Sequence, residues 1–194
     1  MTVDANTNTL GTVTVDASKT LTVGAGNTIT AGGATDINGT LTIAGTGVYD
    51  ANGAYDATGA NTTISGAGRL QLASTVTSLG TASLNSASTV EYDGAGAQTI
   101  DDLSAKQAYG NVEIEGGLKN MEGGTTVSNK LKWGGDADMA TNGHTLTLTG
   151  GQPENFGVSN SEGWGNPDND RVIHKGTGSD VTIAYTSTTD EFFL

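Results

Sequence analysis

The chain's 194 residues hold two imidazoles, His144 and His174, and no cysteine. A catalytic histidine needs a nucleophile or substrate proton within hydrogen-bond reach and a partner that fixes its tautomer. His144 stands in the turn Asn142-Gly143-His144 ahead of Thr145, and His174 closes Arg171-Val172-Ile173; no serine lies in a G-x-S-x-G elbow. Both read as solvated strand-end residues. Asp101-Asp102 and Asp136/Asp138 pair carboxylates by sequence. Such pairs, with a cation to stabilise the anion formed, are the equipment of polysaccharide hydrolases and lyases. The two arginines, Arg69 and Arg171, stand in no matching motif, so these acids read as solvated corners and the chain as not an enzyme. Asn166, Asp168 and Asp170 place side-chain oxygens at alternate positions, the opening spacing of a calcium loop. Arg171 occupies the position that needs glycine and no bidentate glutamate follows. Turn chemistry competes with metal binding there, and calcium is the one cofactor the sequence admits. Without cysteine there is no thiolate nucleophile, disulfide or cysteine-ligated zinc.

These residues hang on elements of one kind. Thr12-Val13-Thr14-Val15, Thr20-Leu21-Thr22-Val23, Thr40-Leu41-Thr42-Ile43 and Thr145-Leu146-Thr147-Leu148 alternate with period two. Arg69–Leu72, Thr89–Tyr92, Asn111–Ile114, Lys130–Trp133 and Val181–Tyr185 vary the same word. Period two sends alternate side chains to opposite faces, and β-branched residues suit a pleated surface. Leu21, Val23, Leu41, Ile43, Leu70, Leu72, Val90, Val112, Ile114, Leu131, Leu146, Leu148 and Ile183 are therefore expected inside, with the intervening threonines outside. Only Asp101 to Tyr109 reads as a helical turn. Clusters of Gly, Asn and Asp supply the corners. The Thr-x-Thr words also fit an ice-binding ladder, which needs the same word in every consecutive coil, but Arg69/Gln71, Asn111/Glu113 and Lys130/Lys132 break it. Asn38-Gly39-Thr40 and Asn61-Thr62-Thr63 match glycosylation sequons.

Short strands at close spacing admit an antiparallel β-sandwich, for which Asn38-Gly39 is a two-residue hairpin signal, or a β-solenoid. Runs that stop at four residues, and the near-copy of Thr20–Val23 at Thr40–Ile43, favour the all-β solenoid as a single domain over 1–194, more irregular from about 151. The run from Ser88 to Ile100, with its Gly94-Ala95-Gly96-Ala97-Gln98-Thr99 segment, precedes Tyr109–Gly117, Thr125–Leu131 and Asn142-Gly143-His144-Thr145-Leu146-Thr147-Leu148. This order resembles the repeats of large secreted cell-surface, adhesin-type proteins of Bacteroidetes-like bacteria. The resemblance covers about Ser88 to Gly150 and implies a right-handed parallel β-helix with a surface role.

Composition narrows the function. Leu, Ile, Val and Phe make up about 19% of the chain, so the core must be lean. The net charge is -13; eight scattered cations cannot follow a phosphate track, which excludes nucleic acid as partner. No apolar run reaches membrane-span length. Residues 1–87 hold 5 acids and 2 bases, and 88–194 hold 16 and 6, so acidity concentrates in the second half. Met1-Thr2-Val3-Asp4 has no positive n-region or apolar h-region, so an exported form would have lost its leader before this start. The expected protein is an extracellular structural or adhesive rod on a bacterial cell surface. Its partners would be further copies head to tail or flanking domains of a longer chain. Phe192, Phe193 and Leu194 are the expected assembly residues. A carbohydrate-binding or carbohydrate-active module, with Trp133, Trp164 and Tyr185 lining a groove for surface glycans, is the alternative.

Overall fold

The alternating words become rungs. A computed structural model describes residues 2–3, 7–103, 107–134, 137–149, 154–156 and 171–173, and every strand pairing among them is parallel. Thr20, Thr40, Asn61 and Thr81 lie in register, at steps of 20, 21 and 20 residues. Each step is one turn of a β-solenoid. The antiparallel sandwich is thereby excluded.

Three faces repeat in each early turn. The first holds Thr2–Val3, Thr20–Val23, Thr40–Ile43, Asn61–Ile64 and Thr81–Leu84. The second runs Thr7–Leu10, Thr28–Ala31, Val48–Ala51, Arg69–Leu72, Thr89–Tyr92, Tyr109–Glu115, Thr125–Gly134 and Leu146–Leu148, with Glu154–Phe156 also on Thr125–Gly134. The third begins with Val13–Val15, Thr35–Ile37, Tyr55–Asp56 and Val76–Ser78; a separate sheet of Gln98–Ile100, Leu118–Met121, Asp138–Ala140 and Arg171–Ile173 follows it along the chain. The expected helical turn does not form among the described residues, because Asp101–Leu103 are irregular and Tyr109 already starts a strand.

Asn38-Gly39 is not a hairpin but a corner between parallel strands. Asn38 N–H donates to the Val15 carbonyl and Thr40 N–H to that of Lys19, one turn below, each at 2.8 Å. A Cβ at Gly39 would overlap the carbonyls of Asp16 and Lys19. The glycine lets one turn lie directly on another, not reverse the chain.

Twelve of the thirteen expected core residues are buried, from Leu21 at 5% exposure to Leu41 at 0%; Ile183 lies outside the described residues. They stack in columns such as Ile29–Tyr49–Leu70–Val90–Val112–Leu131 and Ala31–Ala51–Leu72–Tyr92–Ile114. Tyr49 sits beside Ala51, and the small residue makes room for the large one. Four tyrosines are fully buried, and each hydroxyl finds a partner on another segment. Tyr49 Oη meets Thr35 Oγ1 at 3.0 Å, and Tyr55 Oη meets Thr62 Oγ1 at 3.1 Å. Tyr92 Oη meets Tyr109 Oη at 2.9 Å, and Tyr109 donates to the Asp101 carbonyl at 2.8 Å. Thr35 and Thr62 therefore occupy inward positions where the pattern alone would place an aliphatic residue.

Two predictions follow from this polar core. Tyr55→Phe leaves the Thr62 hydroxyl buried without its partner and should cost about 1–3 kcal/mol in urea unfolding; adding Thr62→Val should restore much of the loss. Burial also pushes the Tyr49 hydroxyl up to about 12, and raises those of Tyr55, Tyr92 and Tyr109 further. The native state thus keeps protons that the unfolded chain releases near 10, so this stabilisation is complete below pH 10 and lost as pH rises beyond it. In an alkaline titration, tyrosinate absorbance should appear together with loss of the β-sheet circular dichroism, not before it.

Candidate functional site

The second face carries the most concentrated charge chemistry among the described residues. Its outward columns read Val48–Arg69–Thr89–Asn111–Lys130 and Asp50–Gln71–Glu91–Glu113–Lys132. Glu91 and Glu113 are one rung apart, a separation of about 4.8 Å between strands at which like charges repel. Arg69 answers this by reaching two rungs: its Nη1 donates to Glu91 Oε2 at 2.7 Å and also to Glu113 Oε2. Lys132 Nζ donates to Glu113 Oε1 at 2.8 Å, and Gln71 Nε2 to Glu91 Oε2 at 2.7 Å.

Glu91 and Glu113 are consequently only 7% and 3% exposed despite pointing away from the core. Burial alone would raise the Glu113 carboxyl, but hydrogen bonds from Arg69 and Lys132 outweigh it and hold the group below its ordinary 4.5. Burial likewise works against the Arg69 charge, and the two glutamates more than restore it. Two carboxylates are balanced by a guanidinium and an ammonium, so the network offers no net charge to a substrate. Three of its four carboxylate oxygens accept from donors inside the protein, which is the chemistry of a clasp between turns.

A second polar cluster stands at the corner after the second face. Gln98 and Lys119 are neighbours in one inward column. Gln98 Nε2 donates to the Leu72 and Ser74 carbonyls at 2.6 and 2.7 Å, while its Oε1 accepts from Gly94 N–H at 2.8 Å. Lys119, with no exposed surface, donates from Nζ to the Gly94 and Gly116 carbonyls at 2.7 and 2.6 Å. Burial pulls its amine down to about 8, against the pull of Asp93 and Glu115 towards the charged form. The native state therefore sheds this proton before the unfolded chain does. The burial works against folding below pH 8 and is relieved as pH rises towards 10.5. A lysine with a lowered pKa is a nucleophile in many enzymes, but this one is closed to any substrate.

Asp101 is buried and Asp102 exposed, so this pair does not converge. Asp101 Oδ2 accepts from Leu79 N–H and Ser78 Oγ, fastening the next turn to Val76–Ser78 where the two third-face sheets part. Burial raises the Asp101 carboxyl above its usual range. His144 lies half-buried in its turn, its N–H donating to the Thr141 carbonyl at 2.8 Å. The calcium candidates Asn166, Asp168 and Asp170, the assembly residues Phe192, Phe193 and Leu194, and Asp136, Trp164, His174 and Tyr185 all lie outside the described residues, as does the Trp133 side chain. The Arg69 network was missed by sequence reasoning. Its only signal is the recurrence of long polar side chains at steps of 20 to 22 from Gln71 through Glu91 to Glu113, visible once the turn length is known.

No known protein family matches the chain, and no curated protein or solved structure matches it.

Because Glu113 has a lowered pKa when folded, its contribution is present above pH 4.5 and lost as pH falls through the folded value. Arg69→Met removes a donor from both glutamates and should cost about 2–3 kcal/mol at pH 7. Urea melts at pH 7 and pH 4 should show a smaller gap between variant and wild type at pH 4.

Proposed function

We propose that this chain is an extracellular structural or adhesive β-solenoid of a bacterial cell surface, a rod that joins further copies head to tail or flanking domains of a longer chain. The observation that carries this reading is the stacking of parallel rungs whose charged side chains clasp one turn to the next. Arg69, Gln71, Glu91, Glu113 and Lys132 bond to one another across successive turns. A scaffold built this way holds length and shape, and its faces remain for contact. The acidic, cysteine-free composition and the resemblance of Ser88–Gly150 to secreted surface repeats point the same way. A solenoid end presents unpaired strand edges and uncovered core, and a contact between unlike ends does not close on itself and so builds a filament.

Negative-stain electron microscopy and sedimentation of the purified chain test this. Filaments or concentration-dependent oligomers are expected, reverting to folded monomers when Asp190–Leu194 are deleted. A strictly monomeric full-length protein at high concentration would defeat end-to-end assembly. Turnover of an anionic polysaccharide would favour the carbohydrate-active alternative.

A further inference from the structure

The first face differs from the other two. Its outward positions are Thr20 and Thr22, Thr40 and Thr42, Asn61 and Thr63, and Thr81 and Ser83, four successive rungs in unbroken register. All eight are exposed or half-exposed. Seven carry a hydroxyl, one an amide, and none a charge, in a chain of net charge -13. The second face bears Asp50, Arg69, Glu91, Glu113 and Lys132, and the third bears Asp36 and Asp56. Among the described residues, charge has been kept off the strands of this face alone. The residues that would interrupt a threonine ladder, Arg69/Gln71, Asn111/Glu113 and Lys130/Lys132, all belong to the second face. The sequence-based objection to a continuous ladder therefore falls.

The face is a grid. Rungs repeat at about 4.8 Å, and residues two apart on a strand at about 6.6 Å. Threonine is branched at Cβ and its χ1 is stiff, so each hydroxyl and methyl sits at a fixed node and little side-chain entropy is lost on contact. Leu21, Leu41 and Thr62, fully or nearly fully buried beneath, hold the strands in place. A partner for such a surface must itself be periodic on this scale and uncharged. The oxygen lattice of ice has a repeat close to the rung spacing, and an uncharged hydroxyl–methyl grid can order water into that lattice where a strongly hydrated ion would disrupt it. Sugar rings are gripped by aromatic faces, and none of the eight positions is aromatic. A protein partner would seek large apolar or arginine anchors, which are equally absent.

We propose that the first face is an ice-binding surface, formed by the threonine grid from Thr20 to Ser83. This inference stands independently of end-to-end assembly. The test grows ice slowly from a solution of the fluorescently labelled full-length protein and measures the fraction incorporated. Wild type should enter the ice and shape its facets. Thr42→Lys and Thr63→Lys, each placing a hydrated charge in the grid, should lower the incorporated fraction at least tenfold, whereas Asp36→Lys on the third face should leave it unchanged. Circular dichroism confirms that each variant is folded, with Ser83→Lys replacing any that is not. Exclusion of the folded wild type to the same extent as serum albumin would overturn the proposal. Equal incorporation of the grid variants, or retention on crystalline cellulose or chitin without adsorption to ice, would overturn it too.

Discussion

Parallel backbone hydrogen bonding of each rung to the one before constrains everything else in this molecule. It sets neighbouring strands about 4.8 Å apart and leaves no freedom in which residues meet: whatever lies one turn away in register is the neighbour. A residue's environment is therefore written some 20 positions away as much as beside it. Glu91 and Glu113 are brought together by this rule, and Arg69 is placed two rungs from Glu113 so that its length can span the gap. The same rule makes Gly39 irreplaceable, since the turn below supplies the carbonyls that exclude a side chain.

The strand interiors were legible because period two is a local signal. Leu21, Leu41, Leu70, Val90, Val112 and Leu131 declare their burial through their immediate neighbours. What depended on turn-to-turn partnership was not legible. Thr35 and Thr62 look like outward threonines until Tyr49 and Tyr55 are placed across the core from them. Asn38-Gly39 has the chemistry of a hairpin, and only the strand a turn below decides that the chain continues forward. The words Thr20–Val23 and Arg69–Leu72 share a pattern but belong to different faces. A linear reading merges them into one broken ladder.

The faces divide the surface chemistry. One is neutral and regular, one carries a network of both signs that pairs within itself, and the third presents the acids Asp36 and Asp56 on its strands. Where the third face changes from one sheet to another, Gln98 and Asp101 reach back with side-chain bonds to main-chain groups of the turn before, and Lys119 braces the corner of the next turn. A break in the regular ladder is thus sealed by polar groups drawn inward, at the expense of burying an amine and a carboxyl.

The bonds that join the rungs run along the long axis of the solenoid, which determines its response to tension. A pull on the two ends of the chain loads the outermost turn first, and its ladder bonds open in sequence instead of being sheared all at once. Each turn released, such as the 20 residues from Thr20 to Thr40, adds up to roughly 70 Å of extended chain where it had occupied about 5 Å of axis. The fold behaves as a stack of small extensible links that yields length gradually under load. At the Arg69 clasp, which ties three successive turns, side-chain bonds must open along with the ladder.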